Sequence, residues 1–185
     1  ESSAQVAAKQ RVLENALWHI GRSRPDMLYP AIVGPAWGYR YRARLTVRLV
    51  PSKGGVLIGF HERRSSYVAP MESCAILPPH VSDMMPRLRD LVASLSVPDR
   101  LPQIEIAVGE GITVLVFRHI VPLSKADTAR LKAFAEVEQV QVWLQPSGPD
   151  SAHRLHPAEA PGLVYTLPEF GVSMAFRPTD FTQVN

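Results

Sequence analysis

The sequence predicts an α+β fold, built mainly as an antiparallel sheet of hairpins with two or three helices packed on it. Three observations predict it. "YRYRARLTVRLV" (39 to 50) alternates apolar and cationic residues, and "VLIGFHER" (56 to 63) returns after the turn "PSKGG". "QIEIAVG" (103 to 109) and "ITVLVFRHI" (112 to 120) form a second hairpin about Glu110-Gly111. The order strand, strand, helix occurs twice, without a residue-level repeat that would mark a duplication.

Taken in order, "SAQVAAKQRVLENALWHIG" (3 to 21) reads as an N-terminal helix within residues 1 to 21. Val6, Val12, Leu13, Ala16, Leu17 and Ile20 approximate one apolar face, and Gly21 offers a stop. Residues 22 to 37 are rich in Pro and Gly and read as a linker that can pack through Tyr29, Ile32 and Trp37. After the first hairpin, "SYVAP" (66 to 70) is extended and leads into "MESCAIL". Pro78 and Pro79 open a helix over 80 to 95, in which Pro86 marks a kink or the true start. "SKADTARLKAFAEV" (124 to 137) is a helix with Ser124 as N-cap and Asp127 three residues on, a loose capping box. "VQVWLQ" (140 to 145) is a strand, and 146 to 161 reads as a mobile loop. Residues 162 to 167 and 171 to 178 make a last hairpin about Pro168-Glu169-Phe170. "TDFTQVN" then begins like a helix, with Thr179 as N-cap. A sequence that starts without methionine and stops inside a starting element suggests a piece of a longer chain. The expected organisation is a helix (1 to 21), a central α+β domain (22 to 178) and the start of a junction (179 to 185).

A chain of 185 residues with 46% hydrophobic and 20% charged residues is globular rather than disordered. No apolar run approaches the roughly 20 residues of a membrane helix, so no membrane partner is expected. A single cysteine, Cys74, excludes an internal disulfide framework and suits a reducing, cytoplasmic setting. Net charge is only +3, yet residues 37 to 64 carry Arg40, Arg42, Arg44, Arg48, Lys53, Arg63 and Arg64 against Glu62 alone. That surplus exceeds the whole chain's, so the remainder is net negative. Concentrated cation on a nearly neutral chain points to a polyanion such as nucleic acid, or else to a solvated strand face. On one strand, residues 40 to 48 span about 26 Å, enough for several phosphates. Thr46 interrupts the stripe. Tyr39 and Tyr41 fall on the opposite parity, which predicts them buried.

The chain carries little chemistry of its own. Its six histidines are scattered, and only His153 and His156 lie close, too few for a zinc site with one thiol. Cys74 as a nucleophile needs a base that the sequence does not display, and by itself reads as an ordinary buried thiol. "GEGITV" lacks the helix that a dinucleotide-binding loop requires.

Three stretches in order resemble one family, the 23S ribosomal RNA (uracil-5-)-methyltransferases of the RumA type. "GYRYRARLTVR" looks like the family's arginine-rich strand entering its central domain. "GFHERRSSYVAPMESCAIL" looks like the strand and cysteine segment that follow. "MAFRPTDFTQVN" looks like the junction into the methyltransferase domain, and "VFRHIVPLSKAD" fits between them. The resemblance spans nearly the whole chain and implies the central domain alone, without the upstream RNA-binding barrel and three clustered cysteines or the downstream S-adenosylmethionine domain.

By that resemblance Cys74 is the fourth ligand of a [4Fe-4S] cluster in the parent protein, although the family's usual proline after it is replaced by Ala75. One cysteine cannot hold such a cluster, so neither cluster nor S-adenosylmethionine is expected on this chain, and Cys74 should be a free thiol. Gln183 matches a residue at the cofactor and target-base pocket, and Phe181 is a pocket candidate that can equally anchor a helix. The family transfers methyl from S-adenosylmethionine to C5 of a uridine. Its nucleophile and base match nothing here, so the expected function is RNA holding and scaffolding with no catalytic residue and no activity. The expected partner is ribosomal RNA, held by Arg40, Arg42, Arg44 (the best single candidate), Arg48, Arg63 and Arg64. A stand-alone binding module with an incidental basic strand, or a tRNA-directed relative, remains the alternative. Apolar surface uncovered near Cys74 or at the C-terminus could drive dimers, which are possible but not predicted.

Overall fold

A computed structural model of the chain describes residues 2 to 182. The fold is α+β, as expected. β1 (Arg42–Val50) and β2 (Gly55–Gly59) form the first hairpin, and α2 (Pro79–Ser94) follows; α1 (Ser2–Asn15) precedes them. β3 (Gln103–Gly109) and β4 (Ile112–Arg118) form the second hairpin, and α3 (Lys125–Glu138) leads to β5 (Gln141–Gln145). β6 (His153–His156) completes a six-stranded sheet of order β2-β1-β3-β4-β5-β6. β7 (Leu163–Leu167) and β8 (Val172–Phe176) form a separate two-stranded sheet. Only β4 and β5, joined through α3, pair in parallel; the other neighbours are antiparallel.

Alternation sets the two faces. Ala43, Leu45 and Val47 of β1, with Ile104, Ile106, Leu115, Phe117, Val142 and Leu144, face one side and pack against α2 and α3. α2 supplies Val81, Met84, Met85, Leu88, Leu91 and Val92 at helical spacing, and the helix runs through Pro86. Its true start is Pro79, where the missing N–H costs nothing. The capping box of α3 forms on both arms: Ser124 Oγ accepts from Asp127 N at 3.1 Å, and Ser124 N donates to Asp127 Oδ2 at 3.3 Å. On the other face, Ala107, Val114 and Val116 meet Leu163 and Phe176 of the small sheet, which covers that half only. Glu110 fixes this packing: its backbone N donates to Val164 O, and its carboxylate accepts from Thr166 N at 2.7 Å.

Several expectations are corrected. The stretch 146 to 161 is not a structureless loop: it contains β6, which borrows the free edge of β5 with a register shift at Val142/Trp143. Four residues amid Pro, Gly and Asp carry too little alternation to show by themselves. The N-terminal helix forms, but it turns into a π-helical segment over Ala16–Ile20, and neither segment has a buried residue. Val6 and Leu13 lie one heptad apart while Val12 falls off their row, so no continuous apolar stripe exists for a core to cover. The linker does not pack through Tyr29, Ile32 and Trp37, which are exposed. The second strand ends at Gly59, not 63: the chain runs on with only a single bridge, His61 to Val68, before it turns at 63 and 64. Residues 179 to 182 begin no helix: Asp180 folds back, its carboxylate accepting from Arg177 N at 2.8 Å.

Candidate nucleic-acid interface

The arginine stripe lies on the face of β1 opposite the helices, as the parity predicts. It is not a uniform row of free cations. Arg42 and Arg44 flank Glu105 of β3, which the register places directly across from Arg44. Arg44 Nη2 is 3.0 Å from Glu105 Oε1, and Arg42 Nη2 is 3.3 Å from Oε2. Gln103 Nε2 donates to the same carboxylate at 2.8 Å. Arg42's side chain is only 16% exposed, and Arg44's is 67% exposed. Arg42 is therefore held inward as a counter-ion to a buried carboxylate, and its Nη1 has no partner. Arg44 keeps donors facing outward.

The other candidates divide in the same way. Arg40 is half-buried, donates from Nε to Arg42 O at 3.1 Å, and lies 5.3 Å from the ring of Phe60. Arg48, Arg63 and Arg64 are exposed. Among the described residues no ion pair involves these three or Lys53. Glu105 is the functional neighbour that the sequence reading missed. Its signal was a lone carboxylate in the otherwise apolar "IEIAV", on the parity that faces away from the core.

Thr46, the missing beat of the stripe, pairs with Gly59 on one side and Gln103 on the other. Just there the returning chain runs along β2. Ala69 N donates to Phe60 O and Met71 N to Ile58 O, and a Cβ on Gly59 would come within 2.0 Å of Ala69 O. Half-buried Thr46 stands where the polar face is most crowded by backbone. Tyr41 contradicts its expected burial, being 53% exposed, while Tyr39 is half-buried. The face is not reversed, since Ala43, Leu45 and Val47 are buried. Core cover on β1 extends only over those three, and the strand projects past it at Tyr41 and Leu49.

The cysteine segment packs beside the start of the basic strand. Gly38 N donates to Ala75 O and Arg40 N to Ile76 O. Cys74 is a free, half-buried thiol against the core, with its backbone N donating to Ser82 Oγ at 2.9 Å. A [4Fe-4S] cluster takes four thiolates, and this chain offers one, so its own residues do not fit the group. Among the described residues no group of three or more His, Cys, Asp or Glu is placed to bind a metal. Phe181 is 89% exposed, and Gln183 lies outside the described residues. Near the C-terminus Tyr165, Leu167, Phe170, Val172 and Met174 are exposed on the small sheet and its turn. Among the described residues no helix is long and apolar enough to cross a membrane.

Comparison with known proteins shows what the chain resembles. It is 69% identical over all 185 residues to the 23S rRNA (uracil(1939)-C(5))-methyltransferase RlmD of Aromatoleum aromaticum, covering 43% of that protein. It is 66% identical to the enzyme of the same name from Azoarcus sp., again covering 43%, and 60% identical to that of Ralstonia nicotianae, covering 41%. The chain thus spans about two-fifths of the curated relatives it matches. The family resemblance read from the arginine strand, the cysteine segment and the terminal motif is shown. No family model matches. Among solved structures, the fold is that of part of the Pyrococcus abyssi tRNA (uracil-54, C5)-methyltransferase in complex with S-adenosyl-L-homocysteine. The TM-score is 0.66 at 15% identity, covering all of this chain and 45% of that one.

Proposed function

We propose that this chain is the central, RNA-holding domain of a cytoplasmic 23S rRNA (uracil-5-)-methyltransferase. The observation that carries the reading is the 69% identity over all 185 residues to one segment of a protein with that activity. The parent enzyme would transfer methyl from S-adenosylmethionine to C5 of a uridine. To reach a pocket, a uridine in folded RNA must leave its stack, which favours a second surface that grips the backbone meanwhile. Outward-facing Arg44, with Arg48, Arg63 and Arg64, supplies that surface; Arg40 and Arg42 support it from beneath. Residues 22 to 178 would be the domain proper, and 179 to 185 the approach to the cofactor domain, where Phe181 and Gln183 would line the pocket. Cys74 would give the parent's cluster its fourth thiolate, the other three coming from outside this chain. A tRNA substrate is the weaker reading, because the tRNA enzyme shares the fold at only 15% identity.

Two measurements test this. Binding of a 23S rRNA transcript is followed as salt rises, for the chain and for Arg44→Glu. The expected result is weaker binding and a salt slope shallower by roughly one. An unchanged slope returns the stripe to a solvated face. With labelled S-adenosylmethionine and rRNA, the chain alone should transfer no methyl, whereas a longer protein containing it should.

A further inference from the structure

Of the basic residues between 37 and 64, Lys53, Arg63 and Arg64 have no carboxylate partner among the described residues and lie at two turns. Lys53 lies in the β1–β2 turn, with Arg48 near the end of β1 before it. Arg63 and Arg64 lie at the tip of the hairpin 61 to 68. The two turns meet through an aromatic ring: Lys53 Nζ is 5.3 Å from the ring centroid of Tyr67, and Tyr67 is 65% exposed. Tyr67 is thus an exposed ring beside cations that no carboxylate neutralises, the combination of aromatic face and positive charge by which single-stranded nucleic acid is held.

The hairpin holds the backbone that carries the ring in place without burying the ring. His61 and Val68 form a β-bridge, Glu62 N donates to Tyr67 O at 3.0 Å, and Ser65 N donates to Glu62 O at 3.1 Å. Ser65 Oγ accepts from Tyr67 N at 2.9 Å. Arg64 adopts a left-handed backbone, φ +57°, which closes the tip. A backbone ordered in this way has little freedom left to lose when something lies on the ring it carries.

We propose that Tyr67 is a stacking platform for an unpaired nucleotide, with Lys53, Arg63 and Arg64 holding the flanking phosphates. This deepens the RNA-holding reading above and rests on it. Base faces are available only in single-stranded segments, so the platform distinguishes unpaired from duplex RNA, which bare positive charge does not. Its place beside Gly59 and the Ala69–Met71 segment puts it at the β2 edge of the sheet, apart from the Arg42–Glu105–Arg44 group.

The test uses the 185-residue chain and two fluorescein-labelled probes, an oligouridine of about ten nucleotides and an RNA duplex of equal length, read by anisotropy. Tyr67→Ala should weaken oligouridine binding roughly 5-fold or more and leave duplex binding unchanged. Tyr67→Phe, which keeps the ring, should stay within about twofold of the parent for both probes. Equal oligouridine affinity in Tyr67→Ala and the parent, with Arg44→Glu still weakened, overturns the platform and leaves the RNA-holding reading intact. Equal losses on both probes also overturn it, since the ring then acts through the fold. No salt-dependent binding of either probe by the parent chain overturns both.

Discussion

Arg42 and Glu105 form an inward-facing pair across the β1–β3 ladder, 3.3 Å apart, with side chains 16% and 8% exposed. Arg44 shares the same carboxylate from the solvent side. Two arginines of one stripe thus do different work. Removing one partner of a shielded pair leaves an uncompensated charge, whereas an exposed pair contributes little. Glu105→Gln should therefore cost about 3 kcal/mol of unfolding free energy in urea titrations, and Arg44→Ala less than about 1 kcal/mol. Glu105→Gln should also steepen the salt dependence of RNA binding, because Arg44 loses its competitor for phosphate. Equal costs for the two variants would mean that the pair is solvated.

Gly59 joins the basic hairpin to the sheet. Its absent Cβ is filled by Ala69's carbonyl oxygen at 2.0 Å and Met71 Cγ at 3.2 Å, so a methyl group must push backbone rather than a free side chain. Gly59→Ala should cost about 2 kcal/mol in the same titrations. Gly148→Ala, with nothing within 4 Å and φ −65°, should stay within about 0.5 kcal/mol of the parent. Oligouridine binding should fall in Gly59→Ala as well, since the 61 to 68 hairpin hangs from the segment that is displaced.

Cys74 gives a chemical check on the single-thiolate argument. After anaerobic incubation with iron and sulfide, the chain should develop no cluster absorption in the visible range, and Cys74→Ser should behave alike. A longer protein carrying further cysteines should develop the band and lose or weaken it on Cys74→Ser. Retention of a full band in that variant would remove Cys74 from the ligand set.

What was legible in the sequence was what is decided locally. The β3–β4 hairpin shows through alternation about Glu110-Gly111, and α3 through Ser124 and Asp127, because turn and cap chemistry act within a few residues. The inner face of β1 shows through parity. What was hidden depends on partners far along the chain. Glu105 is 63 residues from Arg42, and nothing in "RARLTVR" says that one arginine will be drawn inward. Tyr67 meets Lys53 only because two separate turns fold together. β6 exists only because β5 offers an edge.

Asp127 connects the cap of α3 to the loop after α2 and makes acid stability a sensitive measure of the helix layer. Burial alone would raise its pKa. Hydrogen bonds from the hydroxyls of Ser96 and Ser124, then from their backbone N–H groups, outweigh that and hold it at about 2, below the ordinary 3.8. A depressed folded-state pKa means that this contribution is fully present above pH about 4 and is lost as pH falls through about 2. It amounts to about 2 kcal/mol. Asp127→Asn should lower stability by a comparable amount near neutral pH and should lose correspondingly less between pH 4 and 2 than the parent chain. Urea titrations at several pH values read the difference directly. Parallel curves for the two proteins across that window would show that the carboxylate's charge is not what the two serines hold.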